Sequence, residues 1–390
     1  MDQLRPAVSV AMATYNGARF IGEQLDSIRR QRQPPDELVV SDDGSTDTTL
    51  NIVQQFAAQV PFPVRISRNP VRLTYRNNFM HAVSLCRSDL IAFSDQDDVW
   101  HEDKLLRATA LFDDPDMLLV HHDAHVVRAG TARGERLGKP IQPPGLLEPM
   151  TNPAWAFSQG FTQMFRRSLV QFSDLWPRSI CRYDQSLPDS HDRWFFFLAS
   201  VLGRIGFIDL PLADYRQHAG NVFGIPERRV SRLEKVRSRL ENRSGIFADL
   251  ARQSRRRAEI LDMIAGFDNL NEVWRNRAQD GAERFHLLAE LYRHRQGLYA
   301  ASSLPPRLQH LRNLTRQYAY DPRGTWHFGR KAFWKDALFG GLLGPLMLRY
   351  GAAPRGGDPM CWPGLRQAPE NSGCHQPVLQ RTGDRSWTSA

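Results

Sequence analysis

Short apolar runs alternate with helical spacings along the first two hundred residues. Residues 7–13 (Ala-Val-Ser-Val-Ala-Met-Ala) read as a buried strand, and Phe20, Ile21, Leu25 and Ile28 follow at the spacing of an amphipathic helix ending near Pro34-Pro35. Leu38-Val39-Val40 predicts a second strand, closed by the turn residues Asp42-Asp43-Gly44. Asp47 is placed to cap a helix with Ile52, Val53 and Phe56 on one face. Val64-Arg65-Ile66 predicts a third strand, and a helix is expected from about Asn77 to Leu85. A strand over 90–93, a helix over 103–112 and a strand over 117–120 continue the alternation. Strand and helix in turn predict a doubly wound, mostly parallel sheet of the α/β class.

The pattern then loosens. Residues 129–153, rich in Gly, Pro and charge, read as a surface loop. Residues 160–165 alternate as a strand, an apolar helix follows His191-Asp192-Arg193-Trp194, and strands are expected over 204–208 and 212–218. Pro226 marks a boundary, beyond which arginine-dense helical stretches run over 228–240 and 247–264. From Gly351 the chain is rich in Gly and Pro with little periodicity, which predicts disorder. The expected division is 1–225, 226–350 and 351–390.

Charge sharpens that division. The net charge is +9, but residues 1–225 hold 23 Lys and Arg against 26 Asp and Glu, and the remainder is strongly basic. The four cysteines are scattered without a Cys-x-x-Cys pair, which points to a reducing compartment and away from zinc. The first residues run straight into a strand, so no signal peptide is expected, and no window has the eighteen apolar residues of a spanning helix.

Candidate chemistry concentrates after the strand at 90–93, where Asp95, Asp97 and Asp98 stand within four residues. Ligands of open α/β sheets bind beyond the carboxyl ends of strands, and crowded carboxylates repel unless a cation lies among them. Hard oxygen ligands select Mg²⁺ or Mn²⁺. The same acids would also suit the N-terminus of a helix beginning at Lys104, and both readings stand at this point. A calcium loop is excluded, because its sixth position would be Trp100 where the turn requires Gly. A dinucleotide fold is disfavoured by the single glycine in Thr14-Tyr15-Asn16-Gly17.

Three motifs carry a resemblance: Ala13-Thr14-Tyr15-Asn16-Gly17, Ser41-Asp42-Asp43-Gly44-Ser45-Thr46-Asp47, and Asp95-Gln96-Asp97-Asp98-Val99-Trp100. In this order and at these intervals they resemble a family 2 glycosyltransferase of the GT-A fold, and within it the bacterial rhamnosyltransferase-like branch. The resemblance spans about residues 7–225. It implies a nucleotide site at Thr14, Tyr15, Asn16, Asp42 and Asp43, with Asn78 in a further contact region beside Arg76 and Asn77. It implies metal ligands among Asp95, Asp97 and Asp98. His218, in Tyr215-Arg216-Gln217-His218, resembles that branch's stretch and is a candidate metal or phosphate contact. Asp192 matches the acceptor-side aspartate and is the candidate general base of an inverting displacement. His121-His122-Asp123 is read as sheet-end structure.

The implied donor is a dTDP- or UDP-sugar, with L-rhamnose the leading guess. The implied acceptor is a saccharide or a lipid-linked saccharide of bacterial surface polysaccharide synthesis, in the cytoplasm or at the inner face of its membrane. Basic amphipathic helices between Glu227 and Ile264 could rest on an anionic bilayer, and the short run Ala337–Leu348 could dip into its interface; a solvated helical bundle explains the same pattern. The contrasting reading is a non-catalytic nucleotide-binding module with a basic, nucleic-acid-binding half. Against it, no nucleic-acid-binding signature is present and all the acidic positions are retained.

Overall fold

The computed structural model describes residues 5–128, 134–137, 145–218, 243–321, 326–342, 379–382 and 386–389. The chain separates into two compact units, one of residues 1–177, 189–224 and 367–390, the other of 178–188 and 225–366.

The first unit is built on one large sheet. Strands β1 (Val8–Thr14), β2 (Glu37–Asp42) and β4 (Leu90–Asp95) are buried along almost their whole length, as their continuous apolar runs require. With β3 (Val64–Arg68) they form the parallel series β3-β2-β1-β4. The chain steps outward from β1 to β2 and β3, then returns to β4 on the other side of β1. By the rule for open α/β sheets, that reversal places the ligand crevice beyond the carboxyl ends of β1 and β4. Register fixes what borders it: Ala13 lies opposite Asp95, and Thr14 opposite Asp42. Helices α1 (Ile21–Arg29), α2 (Thr49–Ala57) and α3 (Thr74–Leu85) cover the sheet, α1 through Ile21, Leu25 and Ile28. Val10, Met12, Val40 and Leu90 are fully buried, each contributing about 1.5–3 kcal/mol by leaving water.

The other half of the sheet departs from the expected pattern. Two residues, β5 (Val99–Trp100), form a strand directly after the acidic triplet, ahead of α4 (Lys104–Thr109). Long β6 (Met117–Arg128), short β7 (Gly145–Leu147) and β8 (Gln163–Arg166) follow, and residues 160–162 form a helical turn rather than strand. After α5 (His191–Leu202), the two strands expected at 204–208 and 212–218 are one strand, β9 (Arg204–Gln217). Pro211 is tolerated because irregular pairing with β6 lies there, around Asp123. β8 runs antiparallel between β4 and β6, while β6 and β9 pair in parallel. β5 pairs antiparallel with the far end of β9, bringing Asp214 opposite Val99.

The second unit is helical: α6 (Arg243–Ala265), α7 (Glu272–Ala300), α8 (Leu304–Arg316) and α9 (Arg330–Lys335), which continues as a wider helical turn over Asp336–Leu342. Asn271 caps α7 by accepting from the Trp274 amide at 2.8 Å. Asp336 is fully buried and satisfied by Arg295, Tyr299 and Tyr320. One expectation is overturned here. The apolar stripe of α6 is not offered to a bilayer, since Phe247, Leu250, Leu261 and Ile264 are buried within the unit and α6 packs along α7. Its charges pair locally, Arg252 with Asp249 and Arg256 with Glu259. Amphipathicity announced a buried face without saying what would bury it. The helix expected over 228–240 lies outside the described residues.

Among the described residues no helix is long and apolar enough to cross a membrane. Most of 351–390 also lies outside them. Its described part, Leu379–Thr382 and Ser386–Ser389, is an antiparallel strand pair, which corrects the expectation of disorder there.

Candidate active site

The crevice rim is built from three loops. At the end of β1, Asn16 adopts a left-handed backbone (φ +46°), its amide donates to Ser45 Oγ at 2.9 Å, and its Oδ1 accepts from the Thr46 amide at 2.8 Å. The β1 and β2 loops are thereby fastened to each other. Gln96 clamps Tyr15 from the third loop, accepting from its amide at 3.0 Å and donating to its carbonyl at 3.1 Å. The Arg72 guanidinium lies 4.1 Å from the centre of the half-exposed Tyr15 ring.

Asp42 and Asp43 divide their work differently from the sequence expectation. Asp42 is fully buried, and its four acceptor positions are taken by Thr14 Oγ1, Ser45 Oγ and the amides of Gly44 and Ser45. It therefore holds the rim and has nothing left for a nucleotide. Asp43 accepts from the amides of Leu73 and Thr74, at 2.5 and 2.8 Å, and from Asn69 Nδ2 at 3.2 Å. It caps α3, where Thr74 carries a strained φ of +65°, and its Oδ2 retains one acceptor position. Asn78 is buried and braces β1 against α3, donating to the Thr14 carbonyl at 3.3 Å and accepting from Asn69 at 2.8 Å. Asp42 and Asn78, both expected at the nucleotide, make these bonds within the protein.

β5 decides between the two readings of the acidic triplet. A strand stands between Asp98 and the first turn of α4, so the acids are not at that helix's N-terminus. Asp97 Oδ2 lies 2.9 Å from His218 Nε2, and the His218 ring stacks on Phe20 at 4.3 Å. Asp98 is fully buried; Oδ1 accepts from the Arg216 amide at 3.3 Å, and Oδ2 has no hydrogen-bond partner. Burial and the charges of Asp97 and Asp192 push the Asp95 carboxyl up to about 8, with Lys104 opposing. Burial, with Asp95 and Asp97, likewise holds the Asp98 carboxyl well above its ordinary range. An orphaned buried oxygen and two carboxyls resisting ionisation are what a cation would relieve, so these residues fit one. Among the described residues no three His, Cys, Asp or Glu side chains are gathered to hold an ion unaided.

Asp192 lies in the first turn of α5, electrostatically coupled to Asp95. Its Oδ1 accepts from Ser190 Oγ and from the Arg193 amide at 2.8 Å, and Oδ2 has no partner among the described residues. The carboxylate is thus oriented on one side and open on the other. Neighbouring His191 is buried against Phe79 and Phe93, with ring centres at 4.0 and 4.7 Å, and burial pushes its pKa down to about 4. A neutral, packed imidazole is structural. Because the folded value lies below the ordinary 6.5, its contribution to stability is complete above that value and is lost as pH falls towards 4. Urea unfolding is expected to show about 2 kcal/mol less stability at pH 5 than at pH 7 from this group. His191→Asn should flatten that pH dependence; an unchanged slope would place the buried proton elsewhere.

Three site residues went unrecognised in the sequence reading. Arg216 bonds the backbone of Asp97 and Asp98 and pairs with Glu23 at 2.7 Å, fixing the acidic loop. Lys104 is buried, donates to the Phe161 carbonyl at 2.5 Å and lies 3.5 Å from the Trp100 ring centre. Burial drives its pKa well down while Asp98 and Asp95 oppose. Gln96 is the third. Only Gln96 and Arg216 stood inside motifs already singled out; nothing in the pattern around Lys104 distinguishes it from a surface lysine. The His121-His122-Asp123 run, expected at the sheet end, is instead internal to β6, which runs on to Arg128, and all three residues are buried.

Residues 9–172 match the model of glycosyl transferase family 2. An uncharacterized glycosyltransferase of Nostoc sp. is 25% identical over 223 residues, covering 55% of this chain and 66% of that protein. The dTDP-rhamnosyl transferase RfbG of Shigella flexneri is 43% identical over 101 residues, covering 25% of this chain and 35% of that protein. The chain thus spans about two thirds or less of the length of these relatives. Among solved structures, S. aureus TarS 1–349 aligns with a TM-score of 0.47 at 17% identity, covering 90% of this chain and 93% of that one.

Proposed function

Because residues 9–172 match the model of glycosyl transferase family 2, we propose that this chain is an inverting transferase of that family and of the GT-A type, moving a sugar from a nucleoside diphosphate to a hydroxyl acceptor. The observation that carries this reading is the convergence of Asp95, Asp97 and Asp192 on the crevice at the β1/β4 reversal. The proposed catalytic domain is 1–225, with a helical region over 226–350 and a tail over 351–390.

In this reading the β1 loop and Asp43 receive the nucleoside, Asp43 through the acceptor position that α3 leaves open. Asp97 and Asp95, with Asp98 behind them, would hold Mg²⁺ or Mn²⁺; such an ion neutralises diphosphate charge as the leaving group departs. Two carboxylates plus phosphate oxygens and water make an ordinary shell for it, which suits a site without three protein ligands. His218 positions Asp97, and Arg216 holds the loop. Asp192 takes the proton from the acceptor hydroxyl as its oxygen attacks the anomeric carbon. The carbon–oxygen bond to the diphosphate breaks on the opposite face, so one displacement inverts the centre. A single open carboxylate oxygen, oriented by Ser190, suits that role.

For the donor, the 43% identity to the RfbG segment favours a dTDP-sugar, with L-rhamnose as the sugar. The acceptor is proposed to be a saccharide or lipid-linked saccharide of a bacterial surface polymer, met at the inner face of the cytoplasmic membrane. Thermal denaturation with dTDP-, UDP- and GDP-sugars, each with and without Mn²⁺, tests the donor assignment. The largest rise is expected with a dTDP-sugar plus Mn²⁺, and equal indifference to all of them would overturn the reading.

A further inference from the structure

In the helical unit, one face departs from the rule that apolar side chains are buried. Over residues 330–342 the exposed positions are Arg330, Lys331, Trp334, Lys335, Leu338 and Leu342. Trp334 is 69% exposed and Leu342 72%. Trp334, Leu338 and Leu342 recur at one-turn intervals, so three large apolar groups share a stripe with three cations. The segment's one acid, Asp336, is fully buried and paired with Arg295, so it does not offset them. The neighbouring α8, tied to this turn by Arg307 donating to the Gly340 carbonyl at 2.7 Å, exposes Leu304 and Leu308 as well.

We propose that this stripe docks the chain on an anionic lipid bilayer. The surface rests on the peripheral location proposed above and gives it a physical means. An indole and two leucines without a groove suit the interfacial layer of a membrane, and the long stems of Lys and Arg let their charges reach lipid headgroups beside them. The stripe's uniformly positive charge is complementary to such a surface, and it opposes pairing with a second copy of itself. This role replaces the one that the sequence pattern gave to α6, whose apolar face is occupied.

Sedimentation of the full chain with phosphatidylcholine vesicles, with and without phosphatidylglycerol, tests this. Wild type should pellet only with phosphatidylglycerol present and release at high salt. Reversing Arg330, Lys331 and Lys335 to Glu should weaken binding at least about tenfold. Trp334→Ala with Leu342→Ala should weaken it several-fold, with unchanged circular dichroism and melting temperature. Arg255→Glu with Arg256→Glu, on α6, should do much less. Wild type remaining in the supernatant would overturn both the peripheral location and this surface. Pelleting that ignores the 330–342 variants would keep the location and overturn the surface. Lipid-free dimers that dissociate in Trp334→Ala would assign the face to a second copy and also overturn it. Donor binding measured on the same preparations should not change, which separates these results from failure of the transferase reading.

Discussion

Asp192→Asn is expected to lower sugar transfer by about 10²–10⁴-fold, roughly 3–5 kcal/mol at the transition state, with little change in donor affinity. The amide is nearly isosteric with the carboxylate and keeps an oxygen for the Ser190 hydroxyl and Arg193 amide bonds, so α5 should start as before. What it cannot do is accept the acceptor's proton. Initial rates at saturating donor, beside donor titrations of both proteins, check this. Turnover at the wild-type rate would remove Asp192 from the chemistry. His191 would be a poor substitute, being buried among Phe79 and Phe93 and held neutral.

Asp97→Ala is expected to abolish the dependence of nucleotide binding on a divalent cation. With nucleoside diphosphate and Mn²⁺ at about a hundred times the dissociation constant, wild type should gain about 2.7 kcal/mol of stability. The variant should gain little, while its ligand-free melting temperature stays close to wild type or rises. Asp95 is already resisting ionisation, partly because of Asp97, so removing one negative charge relieves the cluster. The loss of His218's partner is the counterweight, and it lies at the half-buried rim. Equal metal-dependent gains in the two proteins would dismiss Asp97 as a ligand.

The sequence made the core of the first unit legible because β1, β2 and β4 are buried on both faces, and such strands show as unbroken apolar runs. The acidic loop was legible because charges seldom crowd behind such a run. The second half of the sheet was harder. Two-residue β5 has no periodicity to read, and the apolar pattern shows two strands over 204–208 and 212–218 where irregular pairing at Pro211 lets β9 run on to Gln217. Depth was harder still. Asp42 and Asn78 look like any polar loop or helix residue, yet their bonds are spent inside the protein. Lys104 is invisible for the same reason, since burial of an amine depends on Phe161 and Trp100, both fixed by tertiary contacts. In α6 the periodicity was correct and its meaning was not. A stripe of apolar residues specifies a partner surface, and here α7 of the same chain supplies it.

Continuous release of nucleoside diphosphate from sugar nucleotides in the presence of Mn²⁺ tests sugar transfer most directly. The expected result is release from a dTDP- or UDP-sugar that stops on chelation, falls in Asp97→Ala, and accelerates with a saccharide acceptor only while Asp192 is present. A protein that binds these nucleotides without ever breaking the sugar–phosphate bond, and instead retains nucleic acid with a steep salt dependence, would contradict it.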